Sequence, residues 1–462
     1  MCVSWNRRQG EDGVAAYLQG TAEERILLTP PPGWEEPRDA NGQRQCWALR
    51  TNIYGTKQAG HVWGKDIREK YLIGTLKFAP CGAEPCLLRK EVWVNPAREF
   101  DGKGQDTAEG AAQAMGLKGL DSAVSVQPKA GWTKTYIAVT LYVDDVCQMS
   151  PSNLALTWLE QQLYSKYEAQ MMGKTDWYLS LNIDYQRKQG YCKIHQDVYI
   201  GECLHRFGLE EASVADTPFV VGTNLVDPDP KSKLTDKQQR RYMEMIGALN
   251  YLCTQSRPDL AATVSVLAQF NAGADSTHYN AAVRVFRYLK GTRTRGLVYR
   301  RKEDPTVTAF SDASFACGGK TGGGWRRSRS GGVVCYNGAP VSWFSKSQSC
   351  VTLSSAEAEY IALSQTCQEA RWVSRIASFL GKSTPVLPVF CDNQAAKAIA
   401  ELDVDTKRSR HIDIRWHYVR ELCQAGVVKV LWCPTAEMLA DLLTKPLDQH
   451  TMNRLWKLAG CS

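Results

Sequence analysis

At 462 residues the chain exceeds what one hydrophobic core ordinarily sustains, so two to four domains are expected. A 44% hydrophobic and 23% charged composition excludes a low-complexity polar chain, and a net charge of +8 suits a polyanionic partner and a solvated basic surface about equally. Sixteen scattered cysteines, no apolar secretory segment at the N-terminus and no run of about 18 to 20 apolar residues argue against a disulfide framework, secretion and a bilayer span; Cys81 and Cys86 lack a companion pair for structural zinc.

Along the chain, residues 97–131 are rich in Gly, Ala, Gln, Asp and Lys without an apolar period, and read as a loose insertion. The β-prone run TYIAVT at 135 leads into LYVDDV, which sets Asp144 and Asp145 side by side at an expected hairpin turn. Two adjacent carboxylates in an apolar hairpin are costly unless a metal ion neutralises them, although such a pair alone is more often a simple turn. Residues 221–241, with two prolines and many charges, read as an exposed connector. Three helices are expected next, from YMEMIGALNYL at 242, DLAATVSVLAQF at 259 and HYNAAVRVFRYLKG at 278, where apolar residues recur at three and four positions.

From 306 the pattern changes. TVTAFSD, SGGVVCYNG and PVSWFSK predict an antiparallel meander, followed by a long helix over about 355–380, a buried strand VLPVFC, a short helix DNQAAKAIA, a strand VVKVLW and a last helix AEMLADLL. That order gives a mixed α/β domain over residues 306–447.

Acids fall where such a sheet and its helices converge. Asp312 lies in the first strand and Asp392 ends an apolar run; for each alone, a turn or capping role is an even alternative. Ser354 and Glu357 form a capping box, which accounts for Glu357. Glu359 has no such role and lies beside the stripe Ala356, Tyr360, Leu363, Cys367, Ala370, Val373, while Asp441 lies among Leu439, Leu442 and Leu443. Four converging carboxylates call for hard cations, Mg²⁺ or Mn²⁺, and two ions about 3.5 to 4 Å apart suit phosphodiester cleavage. Asp312 would bridge them, with Glu359 and Asp392 completing one site and Asp441 the other. Lys407, Arg408, Arg410, Arg415 and Arg420, interleaved with Trp416 and Tyr418, read equally as a nucleic-acid contact or as a solvated basic helix; His411 and His417 point apart on a helix and do not suggest zinc.

SDAS at 311, SWFSKSQ at 342, LSSAEAEYIAL at 353, CDNQAA at 391, RHIDIRWHYVRE at 410 and ADLLTKPL at 440 together resemble the ribonuclease H of copia-type retrotransposons. Upstream, AYLQG at 16, PPPGW at 30, IYGTKQAGHVW at 53, WYLSLNI at 177, IGALNYL at 246, SRPDL at 256 and RYLKGT at 287 resemble the reverse transcriptase of the same family, in order. The resemblance implies an α+β and α/β chain: a reverse transcriptase palm over 1–220, a linker and helical thumb or connection over 221–300, and a ribonuclease H-like mixed sheet over 301–462. It implies Asp312, Glu359, Asp392 and Asp441 as nuclease metal ligands, Asp144 and Asp145 with Asp12 as polymerase ligands, Tyr17 as the gate against a ribose 2′-hydroxyl, and Lys57 and Gln58 at the nucleotide and template pocket.

The implied partners are an RNA–DNA hybrid, an RNA template and a DNA primer, with a second copy or other Pol segments also in view; the implied setting is intracellular, cytoplasmic or nuclear, without a membrane. Two departures stand out. DASFACGGK replaces the family's DADWAGD, and Gly10–Glu11–Asp12–Gly13 is poor strand material only eleven residues from the start, so the fingers are expected to be missing and the polymerase impaired. The alternative is a catalytically inactive nucleic-acid-binding remnant.

Overall fold

In the computed structural model, which describes residues 2–4, 26–30, 32–34, 37–99, 123–167, 170–171, 175–223, 225, 227–302, 305–316, 327–401 and 413–461, the chain forms two units, Met1–Thr175 and Asp176–Ser462. The break falls inside the stretch expected to be a single polymerase domain. Among the described residues no helix is long and apolar enough to cross a membrane, and the cysteines are free thiols.

The β-branched run at 133–142 forms the longest strand of the first unit, paired antiparallel with Leu87–Val94 on one side and with Asp145–Met149 on the other. Cys2–Ser4 then adds beside Asp145–Met149. Helix Asn153–Lys166, whose Ser152 cap accepts from the Ala155 amide, and the helical stretch 59–75 bury Trp63, Leu72, Leu154 and Leu159 with Leu88, Ile137 and Val139 of the sheet. The expected loose insertion is narrower than 97–131. Pro96–Arg98 is a 3₁₀ turn, Ala123 and Val124 are buried, and Val124–Ser125 pairs with Trp93 and Val94, because the apolar residues at its C-terminal end can join the sheet; 100–122 lies outside the described residues.

The second unit holds an antiparallel sheet of Trp177–Tyr178, Leu181–Gln186, Tyr191–His195 and Gly296–Arg300, a set of helices, and a five-stranded sheet. The latter runs in the order Ala339–Ser347, Arg329–Tyr336, Val307–Ser314, Leu387–Cys391, Val428–Trp432; the first three strands are antiparallel, the last three parallel. Period-two alternation splits its side chains between two cores. Val307, Ala309, Val334, Val389 and Val430 face the helix Ser355–Phe379, whereas Val333 and Cys335 join the helices of 236–291 and the C-terminal residues Leu443, Met452 and Trp456. The helical connection and the mixed sheet therefore share a core, so the boundary expected at 300 does not separate them.

Three local expectations change. The connector read over 221–241 already enters helix Asp236–Gln255 at Asp236; the reciprocal capping box of Thr235 and Gln238 starts it, and its polar first turns disguise it. The apolar run at 436–443 is not an α-helix: it forms 3₁₀ turns Thr435–Glu437 and Leu439–Leu443 between Pro434 and Pro446, and an α-helix follows at Gln449–Leu458. At the long helix, Ser354 Oγ accepts from the Glu357 amide at 3.2 Å, but the Glu357 carboxylate accepts from the Leu353 amide at 2.7 Å, one residue before the expected return bond.

Candidate metal centre

Strand pairing places Asp312 opposite Gly331, a helix that starts at the Ser354 cap brings Glu359 inward in its second turn, and Asp392 follows directly on the Leu387–Cys391 strand. One carboxylate oxygen from each of Asp312, Glu359 and Asp392 lies within 4.8 Å of the others. Asp312 and Glu359 are 4% and 8% exposed, so little water is available to share the charge.

The Glu359 carboxyl takes a hydrogen bond from the Ala313 amide, while its Oε2 is buried without a partner. Burial, then Asp312 and Asp392, push its pKa up to about 9. Burial and Asp312 also raise Asp392, against a hydrogen bond from Thr435 Oγ at 3.1 Å to its Oδ2; the Trp432 indole donates to the Asp392 carbonyl at 3.2 Å. Three oxygen donors converging on one point, with a buried acceptor left over, fit a hard divalent cation.

Asp441 is buried close by but does not join that set. Its Oδ1 forms an ion pair with Lys445 Nζ at 2.8 Å, and burial followed by Asp312 raises its pKa. Lys445 Nζ thus lies against the carboxylate expected to complete, with Asp312, the second ion site. Thr444 donates to Asp312 Oδ2. The Leu439–Leu443 turn comes this near because Gly331 lacks a side chain: a Cβ there would meet Thr444 Cγ2 at 2.5 Å and Leu443 Cβ at 2.9 Å.

Of the basic stretch, Arg408 and Arg410 lie outside the described residues, and Arg415 falls on helix Asp413–Gln424 with its side chain likewise outside them. Arg420 donates to the Ile399 carbonyl at 3.2 Å and Tyr418 meets Arg371, so these two side chains serve packing within the unit.

In the first unit, Tyr142 pairs with Asp145 and leaves Val143 and Asp144 as a two-residue turn, as the sequence suggests. Val143 takes a left-handed φ of 49°, an uncommon place for a β-branched residue, and its carbonyl accepts from the Trp63 indole at 2.8 Å. Asp144 is 5% exposed; Tyr54 donates to its Oδ2 at 2.6 Å, and burial outweighs that bond in raising its pKa. Gln58 is the N-cap residue of the helix bearing Trp63, and Lys57 beside it is exposed. Asp12 and Tyr17 lie outside the described residues, among which no third acid joins Asp144 and Asp145.

No family model matches the chain. Its sequence is 26% identical over 452 residues to the retrovirus-related Pol polyprotein from transposon TNT 1-94 of Nicotiana tabacum, covering 97% of this chain and 30% of that protein. It is 29% identical over 458 residues to the Pol polyprotein from transposon RE2 of Arabidopsis thaliana, covering 99% of this chain and 28% of that protein. The chain is similar over nearly its whole length to the Pol polyproteins of copia-type retrotransposons. It spans less than a third of the length of these two Pol relatives. Among solved structures it is similar to ribonuclease H1 of Halobacterium salinarum at 20% identity, 30% of this chain, 94% of that one and a TM-score of 0.22; the similarity to Pol polyproteins does not rest on that likeness.

Sequence reasoning passed over Tyr54, Thr435, Thr444 and Lys445. Tyr54, Thr444 and Lys445 sit inside motifs quoted for the resemblance, and a buried carboxylate's need for donors is the signal that would have singled them out.

Proposed function

We propose that the Asp176–Ser462 unit is a divalent-metal-dependent ribonuclease H that cleaves the RNA strand of an RNA–DNA hybrid. The observation that carries this reading is the convergence of Asp312, Glu359 and Asp392 within 4.8 Å, with Glu359 Oε2 buried and unpartnered. These three residues would hold Mg²⁺ or Mn²⁺, and a bound ion supplies Lewis acidity at the scissile phosphate and lowers the pKa of a coordinated water. The protein's own contribution is orientation. Thr444 fixes Asp312, the Ala313 amide fixes one oxygen of Glu359, and Thr435 fixes Asp392, so the carboxylates need little rearrangement when charge develops at the phosphate.

For the Met1–Thr175 unit the reading is a polymerase remnant. Asp144 and Asp145, with Asp12, would be the metal ligands; Tyr17 would screen the ribose, and Lys57 and Gln58 would meet template and incoming nucleotide. The chemistry is in-line attack of a primer 3′-hydroxyl. The partners on this reading are the hybrid, an RNA template and a DNA primer, in an intracellular setting.

The test is a labelled RNA–DNA hybrid incubated with Mg²⁺ and either the unsubstituted chain or Asp392→Asn. Shortening of the RNA strand by the first and not the second is expected. Equal cleavage by both points to a contaminant, and no cleavage by either favours a non-catalytic nucleic-acid-binding remnant.

A further inference from the structure

Lys445 has no part in the nuclease reading so far. Its Nζ lies 2.8 Å from Asp441 Oδ1, and Asp312 and Asp392 act on the same ammonium through space. The acids therefore fall into two groups. Asp312, Glu359 and Asp392 each turn an oxygen toward one point, where Glu359, 8% exposed, keeps Oε2 unpartnered; Asp441 lies outside that set, linked to Asp312 by a side-chain hydrogen bond and with its Oδ1 against the Lys445 ammonium.

We infer that Lys445 is the resting site's second cation: without substrate the centre takes a single divalent ion on Asp312, Glu359 and Asp392, and the place beside Asp441 is closed by the ammonium. A divalent ion bound between Asp312 and Asp441 would sit at contact range of that charge, where the repulsion is large in a site with little water. The lysine side chain is 39% exposed and its four-carbon stem is flexible, so it can swing toward solvent and yield the place to a second divalent ion once a phosphate adds an oxygen ligand there. Lys445 is on this account a positioning residue that sets cation number. The inference rests on the metal-centre reading above, and its test separates the two.

The experiment counts bound Mn²⁺ on the full chain, without nucleic acid, from the paramagnetic resonance signal of the free ion. Asp144→Asn and Asp145→Asn are present throughout so that the first unit contributes no ion. The parent is expected to bind a single Mn²⁺ and Lys445→Met to bind a second, with Lys445→Arg remaining at one. Adding Asp441→Asn to Lys445→Met should abolish the gained ion and spare the first. Two ions on the parent, or one ion on both Lys445→Met and Lys445→Gln, overturns the inference; the glutamine variant serves where methionine disturbs folding. Loss of the first ion in Asp392→Asn supports the centre itself. An unchanged count in Asp392→Asn, or no binding by any variant, removes the metal centre and the inference with it.

Discussion

Gly331→Ala puts the packing around Asp312 to a quantitative test. The added methyl would stand 2.5 Å from Thr444 Cγ2, 2.9 Å from Leu443 Cβ and 3.2 Å from the Ala440 carbonyl oxygen. Thr444 can yield by rotating, but only by giving up its hydrogen bond to Asp312; Leu443 Cβ is fixed to the backbone, so the turn must move. Overpacking of this kind costs about 1–3 kcal/mol. In a unit of this size each kcal/mol lowers the melting temperature by roughly 2 °C, so a drop of about 2–6 °C is expected, read by thermal denaturation. Thr444→Ser deletes the nearest methyl and keeps the hydroxyl, so Gly331→Ala with Thr444→Ser should recover part of the loss, the Leu443 contact remaining. A stable single variant, or purely additive effects in the pair, would refute the view that this glycine sets the approach of the turn to Asp312.

Arg257 and Asp259 are fully buried and joined at 2.7 Å, with Tyr288 and Thr292 completing the donors and acceptors. Arg257→Met should therefore cost roughly 3–5 kcal/mol in urea denaturation, since it strands a buried carboxylate; a midpoint unchanged from the parent would count against it. Glu160, 2% exposed and held by Gln148 Nε2 at 2.8 Å, has its pKa raised by burial to about 7 from 4.5. Between those values the unfolded chain releases its proton and the folded one keeps it, so stability falls as pH rises from 4.5 to 7, by at most about 3 kcal/mol. Glu160→Gln should flatten that fall, and identical pH slopes in the two proteins would exclude it. Glu359, pushed up to about 9, is protonated in the metal-free protein at pH 7.5. Mn²⁺ binding there should release a proton and tighten as pH rises toward 9, seen in calorimetry as a heat that varies with buffer ionisation enthalpy; a buffer-independent heat would rule this out.

What was legible in the sequence was local. The meander, the long helix and the separation of Glu357 from Glu359 follow from alternation, spacing and a cap, each decided within a few residues. Asp392 was legible because a carboxylate closing an apolar parallel strand is costly there unless a cation or a donor meets it. The place of Asp441 was not, since it depends on a turn lying against a glycine far away in sequence. The run LADLL carries a helical apolar pattern in a 3₁₀ turn, and only the flanking Pro434 and Pro446 hint at it. Arg257 and Asp259 look solvent-bound by composition; burial made their charges mutual.

The sheet that bears Asp312 has one face completed by helices that precede it in the chain. Severing the polypeptide between 300 and 306 would strip Val333, Cys335, Leu443, Met452 and Trp456 of the apolar surface they lean on. A proteolytic or recombinant piece starting after that point would expose a greasy flank and tend to self-associate, so the upstream helices act as the cover of the sheet that carries the carboxylates.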